Sequence, residues 1–105
     1  MLVISLESML KGLGAMRVKT IKQRECEVVV AEFKDDIFLI SLSKGGMTDN
    51  YVAKVVPSTK VYSWGCVDIE YSPYGLYVVA EGEEELIKKI ISKLSILRSR
   101  SSGRT

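Results

Sequence analysis

Apolar residues recur along the middle of the chain in short runs that are separated by turn residues. Residues 26–33 and 37–43 are two such runs, rich in Val, Ile, Leu and Phe, with three polar residues between them. This spacing predicts two antiparallel strands joined by a hairpin turn. Residues 51–56 continue the strand pattern, and Pro57 ends it because proline lacks the N–H group that a strand donates.

Weaker strand patterns lie on both sides of this central region. Residues 17–24 are mixed and basic, which predicts an edge strand. Residues 60–64, 66–71 and 76–80 follow the central strands. Within residues 66–71 apolar and acidic side chains alternate, which predicts a strand with one dry face and one wet face.

Two stretches have helical periodicity. Residues 6–13 place leucine and methionine on one face, which predicts a short N-terminal helix. The clearer pattern lies near the C-terminus, where one apolar stripe comprises Leu86, Ile87, Ile90, Ile91, Leu94 and Leu97. Residues 99–105 contain no apolar side chain, so we expect a single domain over residues 1–98 and a disordered tail.

Together the elements predict an α+β fold: an antiparallel sheet or small sandwich, with a long C-terminal helix on one face and a short N-terminal helix. The strands at residues 26–33, 37–43 and 76–80 are apolar on both faces, and such strands need cover on both sides. One helix of about 15 residues covers only two or three strands of one face. We therefore expect a partner on the other face, most simply a second copy in a homodimer or a related subunit. Val29 is the expected interface residue, although the pattern leaves open whether the face of Val29 or the face of Val28 is the outer one.

Composition indicates a globular protein of the cytoplasm. Hydrophobic residues make up 47% of the chain, which separates it from disordered sequences, and no apolar run approaches the roughly 20 residues that span a bilayer. The apolar start lacks a basic segment and is interrupted by charges, so we do not expect a signal peptide. Gln23 and Asn50 are the only side-chain amides, and this scarcity beside abundant Lys and Glu is typical of hyperthermophile proteins.

No residue pattern points to catalysis or to a bound cofactor. The chain has no histidine, so the commonest general base and zinc ligand is absent. Two cysteines without a CxxC motif do not complete a four-ligand zinc site. Asp68 and Glu70 share one face of a predicted strand, where hydration by solvent accounts for them. We therefore expect a non-enzymatic protein without a metal or cofactor.

Cys26 and Cys66 allow two interpretations. Both lie at predicted strand positions, which favours free buried thiols. A disulfide that closes the loop between them is the alternative. Most intracellular proteins keep their cysteines reduced, but the proteins of hyperthermophiles are an exception.

Aromatic and basic residues suggest a second class of function. Tyr62 and Trp64 share one face of a predicted strand, and a basic strand nearby in sequence contains Arg17, Lys19, Lys22 and Arg24. Stacking on aromatic rings combined with neutralisation of phosphates binds single-stranded DNA or RNA. The net charge is only +2, however, and three of the 15 basic residues lie at positions 98, 100 and 104. We therefore place nucleic acid second, behind a protein partner that binds at Val29, Tyr62 and Trp64.

Residues 27–58 resemble the central hairpin of the proteasome assembly chaperone 3 family; they read EVVVAEFKDDIFLISLSKGGMTDNYVAKVVPS. The likeness consists of a valine-rich strand that ends in Phe33, a polar turn, an apolar strand, a turn with Gly and Met, and a strand that ends near a proline. The last strand, which runs into an acidic helix start, is also similar. The sequence departs from the family over residues 64–75, where the family carries a helix and this pattern predicts a strand and a turn.

The resemblance implies a non-enzymatic, dimeric scaffold that escorts proteasome α subunits into their ring. This role agrees with the two-sided strands and with the absence of a catalytic pattern. We therefore expect an assembly chaperone, with binding of single-stranded nucleic acid as the alternative.

Overall fold

A computed structural model describes residues 2–24, 26–44 and 50–102 of the chain. Its elements, in chain order, are α1 (Leu2–Gly12), β1 (Arg17–Lys22), β2 (Glu27–Glu32), β3 (Ile37–Lys44), β4 (Tyr51–Pro57), a 3-10 turn (Ser58–Lys60), α2 (Cys66–Glu70), β5 (Leu76–Ala80) and α3 (Glu83–Ser102). A sheet flanked by a short N-terminal helix and a long C-terminal helix confirms the predicted α+β class.

The strands form one open antiparallel sheet in sequence order, β1-β2-β3-β4-β5. Register is set by pairs such as Val29 with Ile40 across β2 and β3, and Ile40 with Val55 across β3 and β4. The hairpin between β2 and β3 closes with the Phe33 N–H group donating to the Asp36 carbonyl at 2.8 Å. Over the described residues the sheet does not fold into a sandwich, so the simpler of the two predicted architectures is present.

Two helices cover one face of the sheet, which we call the first face. The helix α3 packs against β4, β5 and α1, and α1 also packs against β1. The α3 side chains Leu86, Ile90 and Leu94 are completely buried. Burial of each such side chain stabilises the fold by about 1.5–3 kcal/mol, so this interface is the larger part of the core.

Val29 is completely buried in the core beneath the helices. The expectation that it lies at a partner interface is therefore wrong. Its strand is apolar on both faces, so the sequence pattern does not distinguish the face that the helices cover from the other. A shift of one residue along a strand exchanges the two faces.

The second face has its own core. Four side chains of the sheet there are at most 1% exposed: Val28, Val30, Leu39 and Val56. The helix α2 packs over β3 and β4 and places Cys66 and Ile69 against these residues. The chain thus provides cover over β2, β3 and β4 that the sequence pattern assigned to a partner.

The predicted strands over residues 60–64 and 66–71 are wrong. The first stretch begins in the 3-10 turn and continues without strand pairing, and the second contains α2. The helix begins after Gly65 and is closed by hydrogen bonds from the Ile69 N–H group to the Gly65 carbonyl and from the Tyr71 N–H group to the Val67 carbonyl. Cys66 and Ile69 are three residues apart, so a single helical turn brings both onto the sheet.

The predicted end of the last helix is also wrong. The helix α3 continues to Ser102, past the boundary expected at residue 98. Arginine has a high and serine a moderate helix propensity, so the absence of apolar residues does not mark the end of a helix. Residues 103–105 of the expected tail, and residues 45–47 of the turn with Gly and Met, lie outside the described residues.

Cys26 and Cys66 form a disulfide, with 6.1 Å between their Cα atoms. The favoured expectation of free thiols is therefore wrong, and the alternative is correct. The bond joins the residue before β2 to the first residue of α2, and both cysteines are buried. Their proximity results from the packing of α2 on the second face, which the strand interpretation of residues 66–71 did not include.

No helix within the described residues is both long and apolar enough to cross a membrane.

Gly75 ends the turn that leads from α2 into β5. Its φ angle is 88°, and a Cβ atom at this position would lie 2.3 Å from the Val55 carbonyl oxygen. Gly14, which follows α1, has a φ angle of 111° but no atom within 4 Å of such a Cβ. A substitution at Gly14 therefore tests backbone strain alone, whereas a substitution at Gly75 tests backbone strain together with a steric clash.

We expect Gly75→Ala to lower the free energy of unfolding by more than about 2 kcal/mol, because it adds a backbone clash to the left-handed conformation. Gly14→Ala should cost about 1 kcal/mol from the conformation alone. Gly82→Ala is a control with an open site and an ordinary φ angle. Chemical denaturation would measure all three, and equal losses for Gly75→Ala and Gly14→Ala would contradict the close approach to Val55.

A second prediction concerns the disulfide. Replacing Cys26 and Cys66 together by alanine should lower the free energy of unfolding by about 4 kcal/mol, because the bond closes a loop with a sequence separation of 40. The wild-type protein, denatured without reductant, should resist alkylation. Mass spectrometry that finds two alkylated cysteines under those conditions would contradict the bond.

Candidate interaction surface

The segment between residues 61 and 80 exposes most of the aromatic side chains of the protein. It contains the only tryptophan and four of the five tyrosines. The exposed apolar and aromatic side chains of this segment form what we call the tyrosine surface: Tyr62, Trp64, Val67, Tyr71, Tyr74, Tyr77 and Val79. These side chains belong to α2, its flanking loops and β5; Tyr77 and Val79 pair with Lys54 and Val52 of β4 and therefore lie on the second face, over which α2 packs.

The start of the segment is held by one side chain of the loop after β1. Gln23 donates from Nε2 to the Trp64 carbonyl at 3.0 Å and accepts the Cys66 N–H group on Oε1 at 3.2 Å. Both ends of its amide are therefore used at the first turn of α2. Together with the disulfide, Gln23 fixes the position of Trp64 relative to the sheet.

The end of α2 is held by Lys54, which projects from β4 on the second face. Its Nζ atom donates to the Ser72 carbonyl at 2.7 Å and to the Glu70 carbonyl at 3.5 Å. The ammonium group also lies 4.3 Å from the ring centre of Tyr77. A cation at the C-terminal end of a helix is stabilised by the carbonyl groups that have no helical partner.

Lys54 is only 1% exposed. Desolvation lowers the pKa of its ammonium group from the ordinary value of 10.5, and the negative charge of Glu70 opposes this effect. Contacts of the ammonium group with the two carbonyl groups and with the Tyr77 ring thus offset part of the free-energy cost of burying it. The arrangement positions the end of α2, since all of these contacts connect the sheet to the helix and the turn.

A small cleft of about 230 Å³ lies beside Lys54. Its lining residues come from β3, β4, β5 and the end of α2: Ser41, Ser43, Val52, Lys54, Glu70, Tyr71 and Tyr77. The Tyr77 hydroxyl donates to the Glu70 carbonyl. Tyr71, Tyr77 and Glu70 thus line the cleft together.

The turn before β5 connects to the 3-10 turn after β4. The Ser72 hydroxyl donates to the Lys60 carbonyl at 3.2 Å, and the Lys60 ammonium group lies 4.7 Å from the ring centre of Tyr74. These contacts fix Tyr74 beside the end of α2. The backbone beneath the tyrosine surface is thus held by hydrogen bonds of Gln23, Lys54 and Ser72.

Two of the three residues predicted at a partner interface belong to this surface. Tyr62 is fully exposed and Trp64 is 38% exposed. They lie on the loop that precedes α2 rather than on a strand. The sequence reasoning missed Tyr71, Tyr74 and Tyr77, although the accumulation of tyrosines over residues 62–77 was a visible signal.

The predicted nucleic-acid residues do not form one stripe. Arg17 and Lys19 lie on the second face of β1, whereas Lys22 lies on the first face. Arg24 follows the strand and is exposed. The strand β1 is an edge of the sheet, where basic side chains also hinder pairing with other chains.

The described residues contain no group of three or more His, Cys, Asp and Glu side chains that could hold a metal ion. On α2, Asp68 accepts a hydrogen bond from the Ser63 hydroxyl. This bond ties the carboxylate to the preceding loop.

The pKa shift of Lys54 gives a testable pH dependence. Below 10.5 the unfolded chain binds a proton at Lys54 more readily than the folded chain does, so the free energy of unfolding should rise as pH increases towards 10.5. Lys54→Met should lack this rise, and Lys88→Met, which removes an exposed lysine of α3, should retain it. Urea denaturation over a pH series would measure the differences, and parallel curves for wild type and Lys54→Met would contradict the buried amine.

None of the family models, curated proteins or solved structures compared with this chain matches it.

Proposed function

We propose that this protein is a non-enzymatic protein–protein interaction domain that binds its partner through the tyrosine surface. The proposal rests on the concentration of exposed aromatic side chains on one segment, residues 61–80, whose position is fixed by contacts with the sheet. Tyr71 is 81% exposed and Tyr62 is fully exposed, although both rings are large and partly apolar. Large exposed apolar patches are rare on soluble domains and mark interaction sites.

The residue types also fit a protein partner. Tyrosine and tryptophan are enriched at protein interfaces because they bury a large area at a small cost in conformational entropy and keep a polar group for hydrogen bonding. The framework beneath them is fixed by the disulfide, Gln23 and Lys54. Such preorganisation lowers the entropy cost of association.

As the specific role we propose an assembly chaperone for proteasome α subunits. The helix α2 lies within residues 64–75, where the proteasome assembly chaperone 3 family carries a helix and the sequence pattern had predicted none. The departure from that family is therefore smaller in the structure than in the sequence. The proposal combines this element with the resemblance of residues 27–58 and with the exposed aromatic surface.

Nucleic-acid binding is the weaker candidate. The basic side chains expected to contact phosphates are divided between the two faces of β1, and Lys54 and Lys60 are engaged by rings and carbonyl groups of the protein itself. Neutralisation of phosphates needs several cations that face one strand of nucleic acid. We find no specific observation that favours it over a protein partner.

Purified proteasome α subunits provide the direct test of the proposed function. We expect the protein to form a complex with them, and Tyr71→Ala and Tyr62→Ala each to weaken binding by about tenfold, as truncation of interface tyrosines does. Light scattering after size exclusion would give the stoichiometry, and calorimetry the affinity.

Met16→Ala is the matched control, because Met16 is 74% exposed but lies before β1, outside the tyrosine surface. It should bind like the wild type. Failure of α subunits to bind would overturn the specific role. A mass of twice 11.7 kDa for the protein alone, lost in Tyr71→Ala, would instead assign the surface to a homodimer.

A further inference from the structure

The two edge strands of the sheet differ in charge. One edge strand, β1, carries the basic side chains Arg17, Lys19 and Lys22. The other, β5, consists of Leu76–Ala80 and has no charged side chain. Natural proteins protect edge strands with charged residues, because unpaired N–H and C=O groups at an edge can pair with another chain. The strand β5 therefore lacks within its own residues the protection that β1 has.

The residues of β5 that present backbone groups to the outside are Tyr77 and Val79. A Cβ atom on Gly75 would lie 2.3 Å from the Val55 carbonyl oxygen, so this carbonyl points from β4 towards β5. Val55 pairs with Leu76, and successive residues of an antiparallel strand point their N–H and C=O groups alternately to opposite sides. Every second residue from Leu76 onward thus bonds to β4, whereas Tyr77 and Val79 point outward. Among the described residues, no backbone group outside the sheet bonds to β5.

Two side chains of α3 occupy this outer edge. Lys89 donates from Nζ to the Val79 carbonyl at 2.9 Å, and the same atom lies 3.1 Å from Oε2 of Glu85. Oε1 of Glu85 accepts the N–H group of Glu81, the residue after β5, at 3.2 Å. The hydrogen bonds from Lys89 and from the Glu81 N–H group lower the pKa of the Glu85 carboxyl, which favours its charged form. One helix thus supplies a donor and an acceptor of the kind that an adjacent strand would supply.

We propose that Glu85 and Lys89 form an edge cap that prevents β5 from pairing with β5 of a second copy of this chain. An antiparallel pair centred on Val78 would place Tyr77 opposite Val79 of the other copy, where the outward N–H and C=O groups would exchange hydrogen bonds. Aromatic and β-branched side chains opposite each other also favour such pairing. The Lys89 ammonium group occupies the Val79 acceptor, and pairing would bring one such cation from each copy to the same edge, where like charges repel. This inference does not depend on the proposed function.

Removal of the cation tests the edge cap. Lys89→Met keeps the apolar stem of the side chain and frees the Val79 carbonyl. We expect the dissociation constant for self-association to fall about tenfold relative to the wild type, because an acceptor is released and the repulsion is removed. Lys88→Met is the matched control, since it removes the same charge from the adjacent exposed position of α3 and should associate like the wild type. Sedimentation equilibrium over a concentration series would measure all three proteins.

Amide hydrogen exchange identifies the edge that pairs. In the wild type the N–H groups of Tyr77 and Val79 should exchange rapidly, whereas those of Val78 and Ala80, which bond to β4, should be protected. In associated Lys89→Met the N–H groups of Tyr77 and Val79 should become protected as well. Adding Val79→Pro, which removes an outward N–H group that β4 does not use, should restore the wild-type dissociation constant.

Three results would overturn the edge cap. The first is equal self-association of Lys89→Met, Lys88→Met and the wild type. The second is association of Lys89→Met in which the Tyr77 and Val79 amides still exchange rapidly, since another surface would then be paired. The third is a wild-type protein that already associates with both amides protected. If circular dichroism shows that the variant with Val79→Pro does not fold, the exchange rates of Lys89→Met decide between these outcomes and the cap.

Discussion

Coverage of the second face of the sheet is the constraint on which the rest of the structure depends. The sheet points valine and leucine side chains to that face, and α2, a helix of five residues, packs over them. A helix of that length is not stable by itself, because its nucleation cost is not repaid. Its position therefore depends on contacts with the sheet, a disulfide at its start and Lys54 at its end.

This arrangement also decides which side chains are exposed. When Cys66 and Ile69 face the sheet, the geometry of the helix directs Val67 and Tyr71 outward. Lys54 extends over the neighbouring part of the sheet, where its apolar stem replaces cover that a longer helix would provide. The tyrosine surface is thus the outer side of the element that completes the core.

Long periodic signals in the sequence predicted the parts of the fold they describe. The order of strands and the helix α3 follow from runs of many residues, whose period is unambiguous. Residues 66–71 satisfy both an alternating pattern and an i, i+3 pattern, so one short segment supports either a strand or a helix. The disulfide and the exposure of Tyr71 depend on that choice, and the position of Val29 depends on which face the helices cover. The choice between strand and helix over residues 66–71, and the choice of the face that the helices cover, are not local properties of the sequence.

An exposed aromatic surface contributes no burial to the stability of the free protein. Exposed tyrosines leave the segment between residues 61 and 80 with few inward side chains, so point contacts must replace the hydrophobic area that it lacks. A disulfide is efficient in this role because it stabilises without requiring further buried surface. Disulfides persist both in oxidising compartments and inside hyperthermophilic cells, so the Cys26–Cys66 bond does not by itself identify the environment of the protein. The disulfide thus supplies stability that the exposed tyrosine rings, which bury little area, do not supply.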